Sequence, residues 1–471
     1  MIKFGTGGWR AIIGEDFTKE NVQVLTQAIA DMMKSTKEEE DGFVIGYDRR
    51  FLSDKAARWM SEVFAGNGIK VFLIDKEAPT PVIMFAVKML KVRFGAAITA
   101  SHNPSDYNGI KIFSKGGRDA DERLTDSIEG YINYVKDESV KIMDFSSGIE
   151  SGIIERIYPF NEYIDAIISM TDMEVIRERS LKILLDPMYG VSKTCLQAIL
   201  ITGRCDLDVI NDRHDTLFGG RLPSPNSETL QRLKNMVIEQ GYDLGIATDG
   251  DADRLGVIDE SGEFIHPNSI LVLLYYYLLK YKGWKGSAVR NIATTHLLDK
   301  IAHAFGEECY EVPVGFKHIS SMMEEKNSLI GGESSGGLTI RGHIKGKDGI
   351  FAASVLVEMI SVTGMSLSKK LKEIHETYGY CYMKEADYKF DLKTKERLMY
   401  LLYDEKKLPD FGYEIEKVSY RDGVKVYFTN GGWIIARFSG TEPLMRVFTE
   451  MDSEVVASEV SEKMKIFLSL K

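Results

Sequence analysis

The chain has 471 residues, 44% of them hydrophobic and 27% charged, with a formal net charge of −11. That length excludes one ordinary domain and predicts three or four, each with material for its own core. The acidic balance excludes a nucleic-acid backbone as main partner, but local Arg and Lys clusters can still hold phosphate ligands.

In chain order, Phe17–Lys34 reads as a helix with Thr18 as N-cap and Val22, Leu25, Ala28, Ile29 and Met32 on one face. A buried strand follows, ending at Asp48. Next come a glycine-terminated helix over 55–68, a strand over 70–75, a helix over 80–90 with Pro81 near its start, and a strand over 93–101. This βα alternation predicts a largely parallel α/β sheet. The pattern restarts at Leu181–Asp186, and Tyr242–Asp259 reads as two strands joined by an acidic turn. The apolar run from Ser269 is too short to span a bilayer and reads as a buried helix. Past about Met365, Asp-Gly and Asn-Gly turns between strands announce a smaller α+β domain with a last helix. Cys195, Cys205, Cys309 and Cys381 form no Cys-x-x-Cys pair, and the N-terminus shows no apolar signal region. Reduced thiols in a cytoplasmic protein are expected.

Five stretches carry chemistry. In ITASHNPSDYNGIKIF (Ile98–Phe113), Ser101 and His102 are adjacent. In extended or helical chain they point different ways, so His102 is not expected to activate Ser101. In TDGDADR, Asp249, Asp251 and Asp253 alternate with small residues. Three such carboxylates repel unless a cation holds them, and hard oxygen ligands suit Mg2+. An EF-hand is rejected because Arg254 takes the place that needs glycine. ARFSGTEPLMR offers Arg437, Ser439, Gly440, Thr441 and Arg446, a set suited to phosphate oxygens. The glycine-rich segment 330–350 holds Glu333, Ser335, His343 and Lys347, and Arg10 lies on the opening loop. With a metal as Lewis acid and Arg254 as neutralising charge, Ser101 needs no neighbouring base if it is carried as a phosphoserine.

The motifs FGTGGWR, TASHNP, DGDADR, GESSGG and RFSGTEP, in that order, resemble those of the α-D-phosphohexomutase family, which includes phosphoglucomutases and phosphomannomutases. The resemblance implies three α/β domains with mixed or parallel sheets plus a smaller C-terminal α+β domain around a central cleft. The divisions expected are 1–145 with the phosphoserine loop, 146–248 leading into the metal loop, 249–366 with the sugar loop, and 367–471 as a mobile phosphate-binding lid. It implies that Ser101 is the phosphoserine and binds Mg2+ with Asp249, Asp251 and Asp253. Arg10, His102, Lys111, Arg254 and Lys347 are then catalytic groups, with Lys347 matching an acid/base lysine. Glu333, Ser335 and His343 would bind substrate, as would Gly315, Phe316 and Lys317 in VPVGFKHI. Arg437, Ser439, Gly440, Thr441 and Arg446 would hold the idle phosphate.

The implied reaction interconverts hexose 1-phosphate and hexose 6-phosphate through a hexose 1,6-bisphosphate, which also serves as activator. Sugar phosphates are the expected partners, with no nucleic acid or membrane, in a monomer or homodimer. Glucose is the expected hexose. Gly337 and KDGI fit the glucose type, whereas mannose- and glucosamine-type members carry His at the position of Gly337. Ser334 departs from the glucose pattern, which has a second acid there. Mannose or glucosamine specificity is one alternative. A phosphatase using the same serine and metal, or a silent sugar-phosphate binder, is another.

Overall fold

Short apolar strands alternating with amphipathic helices assemble four sheets in succession along the chain. The computed structural model describes residues 2–5, 7–439 and 444–470, with backbone alone for Asp137. In the first sheet the strands lie in the order Trp9–Ile12, Tyr107–Ser114, Phe94–Ile98, Phe43–Tyr47, Val71–Ile74, Ile154–Ile157, and Arg118–Asp119 pairs with Tyr107–Ser114. The four strands from Phe94–Ile98 to Ile154–Ile157 are parallel, but Tyr107–Ser114 runs antiparallel to both of its long neighbours, so the sheet is mixed. Thr18 caps the helix Lys19–Ser35, accepting from the Asn21 N–H at 3.2 Å, as its sequence position predicts.

The second sheet is ordered Phe264–Ile265, Leu255–Asp259, Leu244–Thr248, Lys182–Asp186, Asp206–Val209. The third is Cys309–Val312, Ala288–Asn291, Ile330–Gly332, Leu338–Ile340. The fourth is wholly antiparallel: Tyr382–Lys389, Leu444–Met451, Trp433–Phe438, Val424–Phe428, Ile415–Ser419, covered by the helix Glu454–Leu468.

Sheet membership moves the unit limits expected from sequence. Ile154–Ile157 extends the first sheet, so the first unit runs past 145. The 248/249 division falls inside the hairpin Leu244–Thr248/Leu255–Asp259, because the acidic turn joins two strands of one sheet. The helix Leu367–Tyr378 buries Leu367 and Ile374 in the core shared with the third unit, and the fourth sheet begins only at Tyr382. The composition change near Met365 marks the end of the helix Gly349–Thr363 and not the end of a domain.

One apolar cluster runs through the first three units, from Val82 and Val87 through Ile183 and Ile246 to Phe351 and Leu356. The fourth unit has a separate core and meets the third through a small cluster of Ile292, Tyr427, Trp433 and Ile435. Beside that cluster, buried Lys425 Nζ donates to Ile292 O at 2.6 Å and to Glu311 Oε2 at 2.7 Å. The first three units therefore form a common frame, while the fourth is joined through a few polar and aromatic contacts. Among the described residues no single helix is long and apolar enough to cross a membrane. The run from Ser269 lies in the buried helix Pro267–Lys280.

Candidate active site

The strand Phe94–Ile98 leads into a tight loop before Tyr107–Ser114 returns. At its tip Ser101 is fully buried with φ +52°, in the left-handed region that non-glycine residues seldom adopt. That bend corrects the expectation for the Ser-His pair: Ser101 Oγ lies 3.3 Å from His102 Nδ1, a contact that extended or helical chain would not allow. Burial, then Arg254, Arg10 and Lys347, push the His102 imidazole well below its usual pKa, so it stays neutral. Ser101 Oγ donates to Asp249 Oδ2 at 2.8 Å.

Sequence reasoning missed Arg50, whose side chain is wholly buried beneath this loop. Its guanidinium donates to the carbonyls of Ser101 (2.8 Å), Asn103 (2.6 Å), Pro104 (2.7 Å) and Tyr107 (3.0 Å). Asp48 accepts from the Arg50 N–H, and the Phe218 ring lies 4.8 Å from the guanidinium carbon. The available signal was YDRR at the end of a buried strand.

The acidic turn meets the serine loop from the second unit. A Cβ on Gly250 would stand 2.8 Å from Ser101 O, so glycine is what lets the two backbones approach. All three carboxylates are buried, with one ligand atom from each within 4.8 Å of the others. Lys111 Nζ, from the strand after the serine loop, donates to Asp251 Oδ2 and Asp253 Oδ2, both at 2.6 Å. Thr80 Oγ1 donates to Asp251 Oδ2 at 2.6 Å, and Lys347 Nζ reaches Asp253 Oδ2 at 2.9 Å.

Burial, then the charges of Asp251 and Asp253, push the Asp249 carboxyl well above its usual range. Burial also opposes ionisation of Asp253, but Lys111, Lys347 and Arg254 outweigh it and hold that carboxyl well below its usual range. Burial works against the Lys111 charge too, yet Asp251 and Asp253 more than offset it and push its pKa up. Among the described residues, Asp251 Oδ1 and Asp253 Oδ1 are buried without a hydrogen-bond partner. Orphaned hard oxygen donors on clustered carboxylates are what a Mg2+-like cation requires, so the residues fit such an ion. Arg10 Nε and Arg254 Nε are likewise buried without a hydrogen-bond partner, which suits an anion beside Ser101. Arg10 Nη1 donates to Asn103 Oδ1 at 2.6 Å, fixing it against the serine loop.

The third unit supplies the glycine-rich segment. Glu333 Oε1 accepts from Gly315 N (3.1 Å) and Asn291 Nδ2 (3.2 Å), while Ser335 is exposed. Lys317 spans from the third unit to Glu122 of the first at 2.7 Å. Two predicted substrate residues are corrected. His343, with a side chain 1% exposed, is caged by Phe85, Tyr163 and Phe351, and its Nε2 lies 3.0 Å from Asp348, the N-cap of Gly349–Thr363. Phe316 is buried against Val289 and Val312 and supports Lys347 from 5.9 Å below. Phe316 packs the third unit and His343 the junction of the first three units, because glycine-rich spacing signals backbone approach without saying which side chains face inward.

In the fourth unit Arg437 and Arg446 stand opposite each other on paired antiparallel strands. Like charges at directly opposed positions destabilise a sheet unless an anion lies between or beside them. Arg437 Nε donates to Asp422 Oδ1 at 2.9 Å, and Arg446 lies 3.7 Å from Asp387. Ser439 N donates to Leu444 O at 2.9 Å. Gly440 and Thr441 lie outside the described residues.

Fold and site together define the class: a multidomain α/β protein whose candidate reacting centre is assembled from several units. Models of the phosphoglucomutase/phosphomannomutase α/β/α domains I, II and III match residues 1–139, 161–262 and 266–378, and that of the C-terminal domain matches 398–466. A Thermococcus kodakarensis phosphoglucomutase/phosphomannomutase is 32% identical over 98% of this chain and 96% of its own. A candidate phosphoglucosamine mutase from Pyrococcus abyssi is 30% identical, again over 98% of this chain and 96% of its own. The structure of a candidate phosphomannomutase from Thermus thermophilus superposes with a TM-score of 0.84 at 28% identity, covering 99% of each chain. The chain belongs to the phosphoglucomutase/phosphomannomutase family and is a phosphohexomutase, an isomerase that works by phosphoryl transfer.

The Arg50 cradle yields a first prediction. Arg50→Lys keeps the charge but loses the planar fork, and each charge-assisted bond lost is worth roughly 1.5–3 kcal/mol. Turnover is expected to fall by about tenfold or more with a lower Tm, measured by steady-state kinetics beside thermal unfolding. Unchanged kcat with a lowered Tm would reduce Arg50 to a purely structural part.

Proposed function

We propose that the chain interconverts glucose 1-phosphate and glucose 6-phosphate through phospho-Ser101 and glucose 1,6-bisphosphate. The observation that carries the reading is the convergence on Ser101 of three carboxylates, two with orphaned oxygens, and two guanidiniums with buried donors that lack a partner. In the first half-reaction the bond from phosphorus to Ser101 Oγ breaks and one to the sugar O6 forms, while the O6 proton leaves to a base. The bisphosphate turns over, the bond from its 1-phosphorus to O1 breaks as one to Ser101 Oγ forms, and O1 takes a proton back from that base, now acting as acid, releasing glucose 6-phosphate. Arg10 and Arg254 take up phosphoryl charge, and Lys111 keeps Asp251 and Asp253 ionised and fixed. Mg2+ held by Ser101, Asp249, Asp251 and Asp253 would supply Lewis-acid polarisation of the phosphoryl group. Glu333 and Ser335 hold sugar hydroxyls, and Arg437, Ser439 and Arg446 pin the idle phosphate so that either end of the bisphosphate can be presented.

The glucose preference draws support from Gly337. A Cβ there would stand 2.3 Å from Lys347 Cδ, so a side chain at 337 and this position of Lys347 exclude each other. Lys347, 2.9 Å from Asp253 Oδ2, is then the acid/base candidate at the sugar end of the site. Gly337→Ala is expected to displace Lys347 and lower kcat by roughly 10²-fold, the usual scale of a general acid/base contribution, with a smaller change in KM. Equal kcat in the variant would remove Lys347 from that role.

Hexosamine phosphate is the second reading, favoured by the phosphoglucosamine mutase name of the Pyrococcus relative. Comparing kcat/KM for glucose, mannose and glucosamine 1-phosphates decides. A glucosamine value about tenfold above glucose, the scale on which a substrate pocket discriminates, would overturn the glucose assignment. Free phosphate without isomerised product would support the phosphatase alternative.

A further inference from the structure

Between the strands Ile415–Ser419 and Val424–Phe428 a tight turn projects Asp422 toward the third unit. Its carboxylate is divided between two units. Oδ1 accepts from Arg437 Nε at 2.9 Å, and Oδ2 accepts from the Val314 N–H at 2.8 Å. The next residue, Gly315, donates its N–H to Glu333 Oε1 at 3.1 Å. Gly315 has φ +124°, which favours glycine, and it opens the helix Phe316–Lys326. The chain of contacts is continuous: guanidinium of the fourth unit, Asp422, two successive backbone amides of the third unit, Glu333. The Asp422 bond engages Nε of Arg437 and not its two terminal nitrogens.

The Ile292–Tyr427–Trp433–Ile435 cluster and the Lys425–Glu311 pair also hold the two units together, but neither includes Arg437 or Glu333. We propose that Asp422 is a positioning residue that couples the phosphate clamp to the sugar grip, so that discrimination by Glu333 depends on how Arg437 is engaged. The inference rests on the reading that Arg437 holds the idle phosphate and Glu333 a sugar hydroxyl. When phosphate draws Arg437, Asp422 shifts with it. The Val314–Gly315 amides follow, and the Glu333 carboxylate is re-aimed. An isolated carboxylate on Arg437 would only orient the clamp. The second bond, across the unit boundary, is what gives it a part in sugar choice.

The test is a double-mutant cycle, with an exchange measurement on the intact protein. Arg437→Lys and Glu333→Gln are combined in the native and Asp422→Asn backgrounds, and kcat/KM is measured for glucose and mannose 1-phosphates. In the native background the two changes are expected to be non-additive by at least about threefold in the glucose-to-mannose ratio. In Asp422→Asn they become additive, and that single variant alone shifts the ratio by about fivefold or more. A ratio close to native, with only KM raised equally for both sugars, overturns the coupling and leaves Asp422 as a support for Arg437. Because Asp422→Ala disturbs the turn more, it serves the exchange measurement. Inorganic phosphate is expected to slow amide exchange in 312–319 of the native protein and not in Asp422→Ala. Equal slowing in both overturns the relay. Phosphate protection of 312–319 that needs Asp422, in a protein with no hexose-phosphate turnover, would uphold the relay while refuting the proposed function.

Discussion

Ser101→Ala is expected to lower mutase turnover by at least roughly a thousandfold while leaving the fold in place. The backbone contacts that shape the loop survive the change. Ser101 N still donates to Thr99 Oγ1 (2.8 Å), Ser101 O still accepts from Arg50 (2.8 Å), and alanine meets the same left-handed φ with no bulkier side chain. What disappears is Oγ, the only atom at that position able to carry a phosphoryl group, together with its bond to Asp249 Oδ2. Stability should drop by only about 1 kcal/mol, the typical net value of one hydrogen bond. The measurements are turnover with glucose 1,6-bisphosphate supplied, intact-protein mass after exposure to it, and Tm. Near-native turnover in the alanine variant would mean that the phosphoryl group passes between sugar molecules without resting on this serine.

Asp251→Asn should lower turnover by roughly 10²-fold or more, and chelation of the native protein should do the same. Asp251 Oδ2 already receives Lys111 and Thr80, while Oδ1 is buried with no hydrogen-bond partner among the described residues. Asparagine removes one of the charges that attract a cation, and in one amide orientation it turns an N–H toward the Lys111 ammonium. A readout independent of turnover is available. Added Mg2+ should raise the Tm of the native protein through binding to the folded state, and raise it far less in Asp251→Asn. Full activity after thorough chelation, or an equal Tm rise in both proteins, would remove the metal from this turn.

The unit expected to act as a lid meets the third unit at a buried polar junction. Lys425 is buried with Glu311, Ile292 O and His296 at the junction of the third and fourth units. Burial, then Arg290, push its pKa down to about 7, while Glu311 works in the other direction. A buried group of this kind has few alternative partners.

Part of the candidate site was legible because its residues are close in sequence. The close spacing of Asp249, Asp251 and Asp253 within one short turn fixes three carboxylates near one another whatever surrounds them. Thr18 caps its helix because an N-cap acts on an amide of the first helical turn. Strand and helix periodicities likewise depend on neighbours about two to four positions apart.

Other features were set by residues far apart in the chain. His343 and Phe316 stand in segments that look like ligand loops, yet packing from Phe85, Tyr163, Phe351 and Val289 turns both inward. Arg50 sits 51 residues before Ser101, and only the folded first sheet brings its fork beneath the serine loop. The unit limits depended on which strands pair, as Ile154–Ile157 does with Val71–Ile74. The spacing of the carboxylates indicated a candidate metal turn, and the motif spellings, through their resemblance to a known family, indicated a phosphohexomutase and roughly where along the chain its candidate site residues stand. Tertiary structure alone decided which side chains face the cleft and which fill a core, because that depends on burial and hydrogen bonding between segments that sequence separation leaves unconnected.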